Sequence, residues 1–496
     1  MDLTSVTLDR RFAVGAVSPF IYGGFLEHMG RSIYQGVYDP ESAHADEDGF
    51  RTDVLGALSE LAMTIVRYPG GNFASGYRWR DGIGARESRP TVRELAWQSI
   101  ETNEFGTDEF IRLCRKLDWT PMLTVNLGTG SPEEARDWVE YCNAPTGTLF
   151  ADMRAAGGSE APHAVPIWCL GNEMDGPWQL GHAPAGEYAL RARQAARMMK
   201  ACDRSIETVA CGSSGPRMPT WLEWDRTVLE SMRGAADHVS LHRYVGNPDG
   251  DSPGYLAIGH GIDRQIEAVN ACCQYVQARA GSRRRAFLCF DEWNVWYRAR
   301  GAGDTDGGGK FAPRLIEERY NLEDALAVGA FLMSFIRHAD CVKIANLAQL
   351  VNVIGPLLTD GDELLKQSIF YAFKLFSDRK GGTALSAYID GPLYETEYGA
   401  VPYLDAAATI GDNSLNLFAM NRHLSEPLPL VVEFGTGEIA RVESSEMVHA
   451  SSLDAENTFE APNTVVSKPF EGWSTRDQVV VELPPHSLVA TTFQLA

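Results

Sequence analysis

Gly171-Asn172-Glu173-Met174-Asp175-Gly176-Pro177-Trp178 follows directly on the apolar run Ala164-Val165-Pro166-Ile167-Trp168-Cys169-Leu170. A short apolar run closed by a glycine reads as a buried strand, so Asn172 and Glu173 stand where that strand ends. A carboxylate beside a carboxamide at a strand tip is held rigidly and faces a loop-lined cleft, which suits chemistry. One such glutamate decides nothing, because a partner carboxylate from another tip is needed. The apolar run Ala286-Phe287-Leu288-Cys289-Phe290 supplies it, ending in Asp291-Glu292-Trp293-Asn294.

Outward from these two runs the chain keeps one rhythm of apolar strand, polar or Gly-rich tip and helical stretch. Strands are expected at 20–24, 64–68, 121–126, 165–170, 208–211, 238–242, 286–290 and 342–347. Helical spacing of apolar residues marks 108–117, 187–201 and 322–338 between them. Strand–helix alternation implies parallel strands joined by right-handed crossovers, and eight such units predict an α/β fold, a (β/α)8 TIM barrel. No GxGxxG follows the first strand, which argues against a dinucleotide-binding sheet. After a closing helix at 364–379 the texture changes to short alternating segments at 414–420, 428–434 and 479–483, separated by Gly, Asp, Asn and Pro. That is the pattern of an all-β sandwich. The expected organisation is a strand segment at 1–16 that joins the C-terminal sandwich, a catalytic barrel at 17–380, and a jelly-roll-like β-sandwich at 381–496. The Gly-rich patch at 301–309, after the Glu292 strand, is expected to be a mobile loop over the barrel mouth or a plain surface loop.

Composition narrows the function. The 496 residues are 44% hydrophobic and carry a net charge of −22, which speaks against a nucleic-acid partner and against anionic membrane surfaces. The start MDLTSVTLDRRF has no basic segment followed by an apolar one, and no run is long enough to span a bilayer, so neither a signal peptide nor a membrane helix is expected. Nine scattered cysteines, several in apolar runs, suit buried thiols in a reducing, cytoplasmic compartment. There is no CxxC pair and no HExxH, so no metal and no cofactor are expected.

The strand tips hold the candidate chemistry. In order they offer Glu27 and His28, Arg67 with Gly70-Gly71-Asn72, Asn126, Asn172 with Glu173, Ser213-Ser214, His242 with Tyr244, Glu292, and Asn346 with Gln349. The rim adds Trp97, Trp178, Trp293, Trp296 and Tyr297. Amides and carboxylates matched to hydroxyls, set beside aromatic faces, are what a sugar ring requires. Two glutamates across such a site give glycosidic chemistry, one protonating the leaving oxygen and the other attacking or activating water. Arg67 near Glu292 would keep that carboxylate ionised, and Glu173, with fewer cations, would hold its proton longer. Simpler readings stand beside these: Asn72 as a turn residue, Tyr244 as rim packing, Gln349 as a helix cap, Arg67 as a structural ion pair, and His28 and His182 as structural.

Seven stretches, in order along the chain, resemble one known family. They are Glu27-His28-Met29-Gly30-Arg31, Arg67-Tyr68-Pro69-Gly70-Gly71-Asn72-Phe73, Asn126-Leu127-Gly128-Thr129-Gly130, Gly171 to Trp178, His242-Arg243-Tyr244, Asp291 to Tyr297, and Asn346-Leu347-Ala348-Gln349-Leu350-Val351-Asn352. Together they resemble the intracellular α-L-arabinofuranosidases of glycoside hydrolase family 51, across the whole chain. The resemblance implies Glu173 as acid/base at the end of the fourth strand and Glu292 as nucleophile at the end of the seventh. It implies furanose binding by Glu27, Asn72, Asn172, Tyr244 and Gln349, support of the nucleophile by Arg67 and His242, outer-subsite roles for Trp97 and Trp296, and a homo-hexamer. The patch at 301–309 departs from the family's pattern. The partner is then a carbohydrate, and the expected activity is exo-cleavage of terminal α-L-arabinofuranosyl residues. The alternatives are an endo-glucanase or β-xylosidase on the same barrel, or a non-catalytic sugar-binding protein.

Overall fold

Eight parallel strands close into a barrel in a computed structural model that describes residues 3–301, 303, 305–435, 437–475 and 478–496. They are β1 (Gly23–Phe25), β2 (Ile65–Tyr68), β3 (Thr120–Val125), β4 (Ile167–Leu170), β5 (Glu207–Ala210), β6 (His238–Val245), β7 (Phe287–Val295) and β8 (Val342–Ala348). Each pairs in parallel with the next, and β8 returns to β1 with Asn346 opposite Gly23. Ile65, Met122, Ile167, Cys169, Val209, Cys289 and Ile344 form one buried cluster of strand residues, so the barrel is a packed core and not a pore.

The main helices that connect the strands are α1 (Thr52–Glu60), α2 (Thr107–Leu117), α3 (Pro132–Asn143), α4 (Ala185–Cys202), α5 (Glu223–Ser231), α6 (Ile258–Arg279) and α7 (Leu322–Arg337), with α8 (Ser368–Ser377) after β8 and two shorter helices at Leu149–Ala156 and Ser252–Leu256. Their starts are locally encoded. Asn321 accepts from the Asp324 amide at 3.1 Å while Asp324 accepts from the Asn321 amide at 3.1 Å, a reciprocal cap for α7. Every residue of α7 before Arg337 is buried, because this helix packs on α8 and also on the strand Leu404–Ile410 of the next domain. Each of its buried Leu and Phe side chains contributes about 1.5–3 kcal/mol relative to exposure.

The sandwich is two sheets. One orders Tyr388–Asp390, Thr4–Leu8, Leu428–Phe434 and Val479–Leu483; the other runs from Ala13–Ala16 through Thr383–Leu385, Leu404–Ile410, Ser414–Asn421, Ser487–Leu495 and Ile439–Val448 to Ser467–Pro469. Thr4–Leu8 lies parallel to Leu428–Phe434, and Ala13–Ala16 antiparallel to Thr383–Leu385. The two domains are tied by Arg337, which reaches Asp405 at 2.8 Å, and by Phe376 stacked on Phe418 at 4.2 Å.

Three expectations need revision. Residues 19–21 are a 3-10 turn, because Pro19 fixes φ and the Ser18 hydroxyl accepts from the Phe20 amide, so β1 starts at Gly23. The helix expected from 364 starts only at Ser368, because Glu363–Lys366 pairs with Leu357–Asp360 in a hairpin turned at Gly361, φ +56°. Strands β6 and β7 run on to Val245 and Val295, past register shifts that the apolar runs do not reveal.

Candidate active site

The end of β4 bends sharply. Gly171 has φ +89° and Glu173 φ +43°; a Cβ on Gly171 would lie 3.3 Å from Met174 Cγ and in a backbone region that L residues avoid. The bend turns Glu173 back over the barrel mouth, toward β6 and β7. There His242 stands directly beside Glu292 in the ladder, so two tip residues predicted on separate strands are neighbours.

Glu292 is 5% exposed. Arg67 donates to its Oε1 at 2.7 Å, and the Tyr244 hydroxyl donates to its Oε2 at 3.0 Å. Arg67 is buried; its other arms reach Asn172 Oδ1 at 2.7 Å and Asp291 Oδ2 at 3.2 Å, and its guanidinium lies 4.8 Å from the Phe25 ring centroid. A planar donor fork over an aromatic face, hydrogen-bonded to Glu292 and Asn172 and ion-paired with Asp291, fixes Glu292 in one pose. Asp291, deep beneath, has its pKa held down to about 2: burial works against its charge, but Arg67 and His242 outweigh burial.

Glu173 has different company. His242 Nδ1 lies 3.0 Å from its Oε1, and the half-exposed Trp178 donates to its Oε2 at 2.6 Å. Burial lifts the Glu173 pKa and the Glu292 charge adds to that, against the hydrogen bonds from His242 and Trp178. His242 Nδ1 is 3.5 Å from Glu292 and its Nε2 3.4 Å from Asp291. Burial opposes a charge on this imidazole, yet Glu292, Asp291 and Glu173 together push its pKa well up. The histidine expected to support the nucleophile therefore bridges both glutamates and sits closer to Glu173.

Glu27 closes the other side. Its Oε1 accepts from the Phe73 amide at 2.9 Å and from Trp97 Nε1 at 3.0 Å, and Gln349 Nε2 lies 3.5 Å from its Oε2. Burial, then the nearby Glu292 charge, raises its pKa to about 8. Asn72 Oδ1 faces Asn172 Nδ2 at 3.4 Å. Trp97 therefore touches the inner ring of residues, whereas Trp296 stands edge-on to Tyr244 at 5.4 Å with its indole donating to Ala299.

Other tip residues are spent on architecture. Asn126 Oδ1 caps the amides of Gly128, Thr129 and Gly130; Asn346 donates to Gly24; Ser213 and Ser214 bind Asp175. His28 lies between Glu101 and Tyr68, and His182 meets the Gln179 carbonyl. Within the described residues, Glu173, His242 and Glu292 bring donor atoms within 4.8 Å of one another, as do His338, Asp340 and Cys341. A cation fits the first group poorly, because Arg67 and Tyr244 already hold both oxygens of Glu292. Of the 301–309 patch, Ala302 and Asp304 lie outside the described residues; Gly307 and Gly309 donate to the carbonyls of Trp97 and Gln98, each at 2.7 Å.

A family model for the α-L-arabinofuranosidase 1 domain matches residues 57–249, and one for the α-L-arabinofuranosidase C-terminal domain matches residues 291–487. The chain is 46% identical over 426 residues to the intracellular exo-α-(1→5)-L-arabinofuranosidase 1 of Bacillus subtilis (strain 168), covering 85% of each chain. The chain belongs to the α-L-arabinofuranosidases of glycoside hydrolase family 51. An exo-α-(1→6)-L-arabinofuranosidase of Bifidobacterium longum is 40% identical, covering 99% of this chain and 97% of that one. The structure of a family 51 α-L-arabinofuranosidase from the same organism superposes with a TM-score of 0.95 at 36% identity, covering 99% of both chains. This arabinofuranosidase is therefore an exo-acting glycoside hydrolase on a (β/α)8 barrel, as the ordered motifs imply. No helix among the described residues is long and apolar enough to cross a membrane.

The roles of three residues of the site escaped sequence reasoning. Trp178 was visible as a rim aromatic, but its bond to Glu173 depends on the bend at Gly171. Asp291, the residue before Glu292, would look in an ideal strand like a mere neighbour facing away. Gly71 has no side chain to attract notice. A Cβ there would stand 2.9 Å from Glu27 Oε2 and 3.2 Å from Glu292 Oε1. Gly71→Ala is expected to displace both carboxylates while leaving the barrel folded, lowering kcat/KM for an aryl arabinofuranoside about 10²-fold; steady-state kinetics alongside circular dichroism check both halves.

Proposed function

We propose that the enzyme is a retaining exo-glycosidase, releasing terminal non-reducing α-L-arabinofuranosyl residues from arabinan- and arabinoxylan-type oligosaccharides by double displacement. One observation supports retention above all: carboxylate oxygens of Glu173 and Glu292 lie within 4.8 Å of each other. Retaining pairs stand about 5–5.5 Å apart, whereas inverting pairs need about 6.5–9.5 Å to admit a water. Glu292 attacks the anomeric carbon as Glu173 gives its proton to the departing glycosidic oxygen, leaving a glycosyl ester on Glu292. Water then attacks that carbon, passes a proton to Glu173 and releases Glu292 as a carboxylate. Ester formation removes the Glu292 charge that helps lift the Glu173 pKa, so Glu173 becomes the stronger acid as it turns into the base. Asn172, Asn72, Tyr244, Gln349 and Glu27 take the furanose hydroxyls; Arg67 and His242 hold the carboxylates, and Trp97 and Trp296 flank the sugar.

The relatives' names carry both 1→5 and 1→6 linkages and the word intracellular; an intracellular role on short oligosaccharides fits both. A panel of aryl glycosides and arabino-oligosaccharides tests substrate class. Arabinose is the expected product, released one unit at a time from the non-reducing end. Cleavage of aryl glucoside or xyloside with the arabinofuranoside untouched would replace this proposal with a glucanase or xylosidase. Light scattering tests the proposed homo-hexamer.

A further inference from the structure

A cavity of about 510 Å³ opens at the opposite, amino-terminal end of the barrel, far from the glutamates. The first residues of β5, β6 and β7 (Glu207, His238 and Phe287) line it, together with residues from the ends of α5 and α6. Its size falls in the range of small-molecule sites. Leu229, Met232, Val276 and Phe287 give it apolar walls.

Its charge is unusual for a chain of net −22. Arg233, Arg283, Arg284 and Arg285 all line it. Within the described residues, Arg233, Arg283 and Arg284 have no carboxylate ion pair, and Arg285 has only Asp340 at 3.9 Å. Nearby arginines behave otherwise: Arg226 pairs with Glu223 and Glu230, and Arg279 with Glu230 at 2.9 Å. The two acids that line the cavity are engaged already. Glu207 takes His238 Nε2 at 2.7 Å, and Asp237 takes Lys200 and the Thr208 amide. His238 is 5% exposed and its Nδ1 has no hydrogen-bond partner, an uncommon state for a buried polar atom. Arg285 also lies over the Phe287 ring at 5.1 Å, leaving a flat cationic wall. Guanidinium groups that share one cavity and are left unpaired by its two engaged acids repel one another and suit a multivalent oxyanion, which they bind bidentately.

We propose that this cavity is a binding site for a phosphorylated small molecule, its phosphate held by Arg233, Arg283 and Arg284 and its body resting on the apolar wall beside Phe287. The site is independent of the catalytic reaction, and none of these arginines touches the barrel mouth. Titration calorimetry of the full-length enzyme with adenosine monophosphate, inorganic pyrophosphate and unphosphorylated adenosine tests it. The two phosphates are expected to bind, more weakly as salt is raised, and adenosine is not. Arg283→Ala/Arg284→Ala is expected to weaken adenosine monophosphate at least about tenfold, with melting temperature and arabinofuranoside hydrolysis unchanged. Failure of both phosphates to bind the unaltered enzyme overturns the proposal, as does a double variant that binds them equally well. So does a double variant that instead changes oligomeric state with no anion bound, since the face would then be a contact between copies.

Discussion

Glu292→Ala is expected to lower kcat on an aryl α-L-arabinofuranoside by about 10⁵-fold, the scale on which loss of a covalent nucleophile is felt. The fold should survive, because Glu292 lies at the mouth above the packed barrel cluster. The cost is confined to chemistry: Arg67 keeps Asp291 and Asn172 as partners, and Tyr244 loses one acceptor. Azide should restore turnover, since a small anion fits the vacated volume between Arg67 and Tyr244 and attacks from the same face. The product should be a glycosyl azide of inverted configuration, read by NMR. Rescue giving a retained azide would assign the nucleophile elsewhere.

Glu173→Ala should behave in the opposite way. Removing the proton donor is expected to cost about 10²–10⁴-fold on substrates with poor leaving groups, and far less on activated aryl arabinofuranosides, whose leaving group needs little protonation. The intermediate on Glu292 still forms and then stalls, so azide should accelerate the second step and give an azide of retained configuration. The pH profile discriminates further. Burial and the Glu292 charge raise the Glu173 pKa, so the protonated form that the first step requires persists upward in pH. Activity of the unaltered enzyme falls as pH rises through that raised value. This basic limb should vanish in Glu173→Ala and survive in Glu292→Ala. A basic limb retained in Glu173→Ala would assign the acid to another group, Glu27 first among them, since its pKa stands at about 8.

What was legible in the sequence follows the range of the forces involved. The barrel and both glutamates could be read because a buried parallel strand must be apolar along its length, and a polar residue at its end is therefore conspicuous. Glu173 and Glu292 each follow or close such a run. The sandwich strands Leu428–Phe434 and Val479–Leu483 stand at the expected positions because alternation records one wet face and one dry face. The electrostatics were only half visible. Arg67 holding Glu292 was foreseeable from two strand tips. His242 joining Glu173 to Glu292 and Asp291 was not, since it depends on the register shift between Ser240 and His242. Asn126 and Asn346 show the converse: polar tips that local pattern marks as candidates, yet whose side chains cap loops and neighbouring strands. The short strand Glu363–Lys366 competes with helix periodicity over residues 364–366, and only pairing with Leu357–Asp360 decides between them.

The stereochemistry of the first-formed product tests the central claim most directly. Turnover of an aryl α-L-arabinofuranoside in water containing methanol, followed by NMR, traps the glycosyl transferred from the enzyme before mutarotation can scramble it. Two Glu-mediated displacements predict methyl α-L-arabinofuranoside as the transfer product. The methyl β-glycoside, or free β-L-arabinofuranose as the first product, would mean a single displacement by methanol or water, and the pairing of Glu173 with Glu292 as acid/base and nucleophile would be wrong.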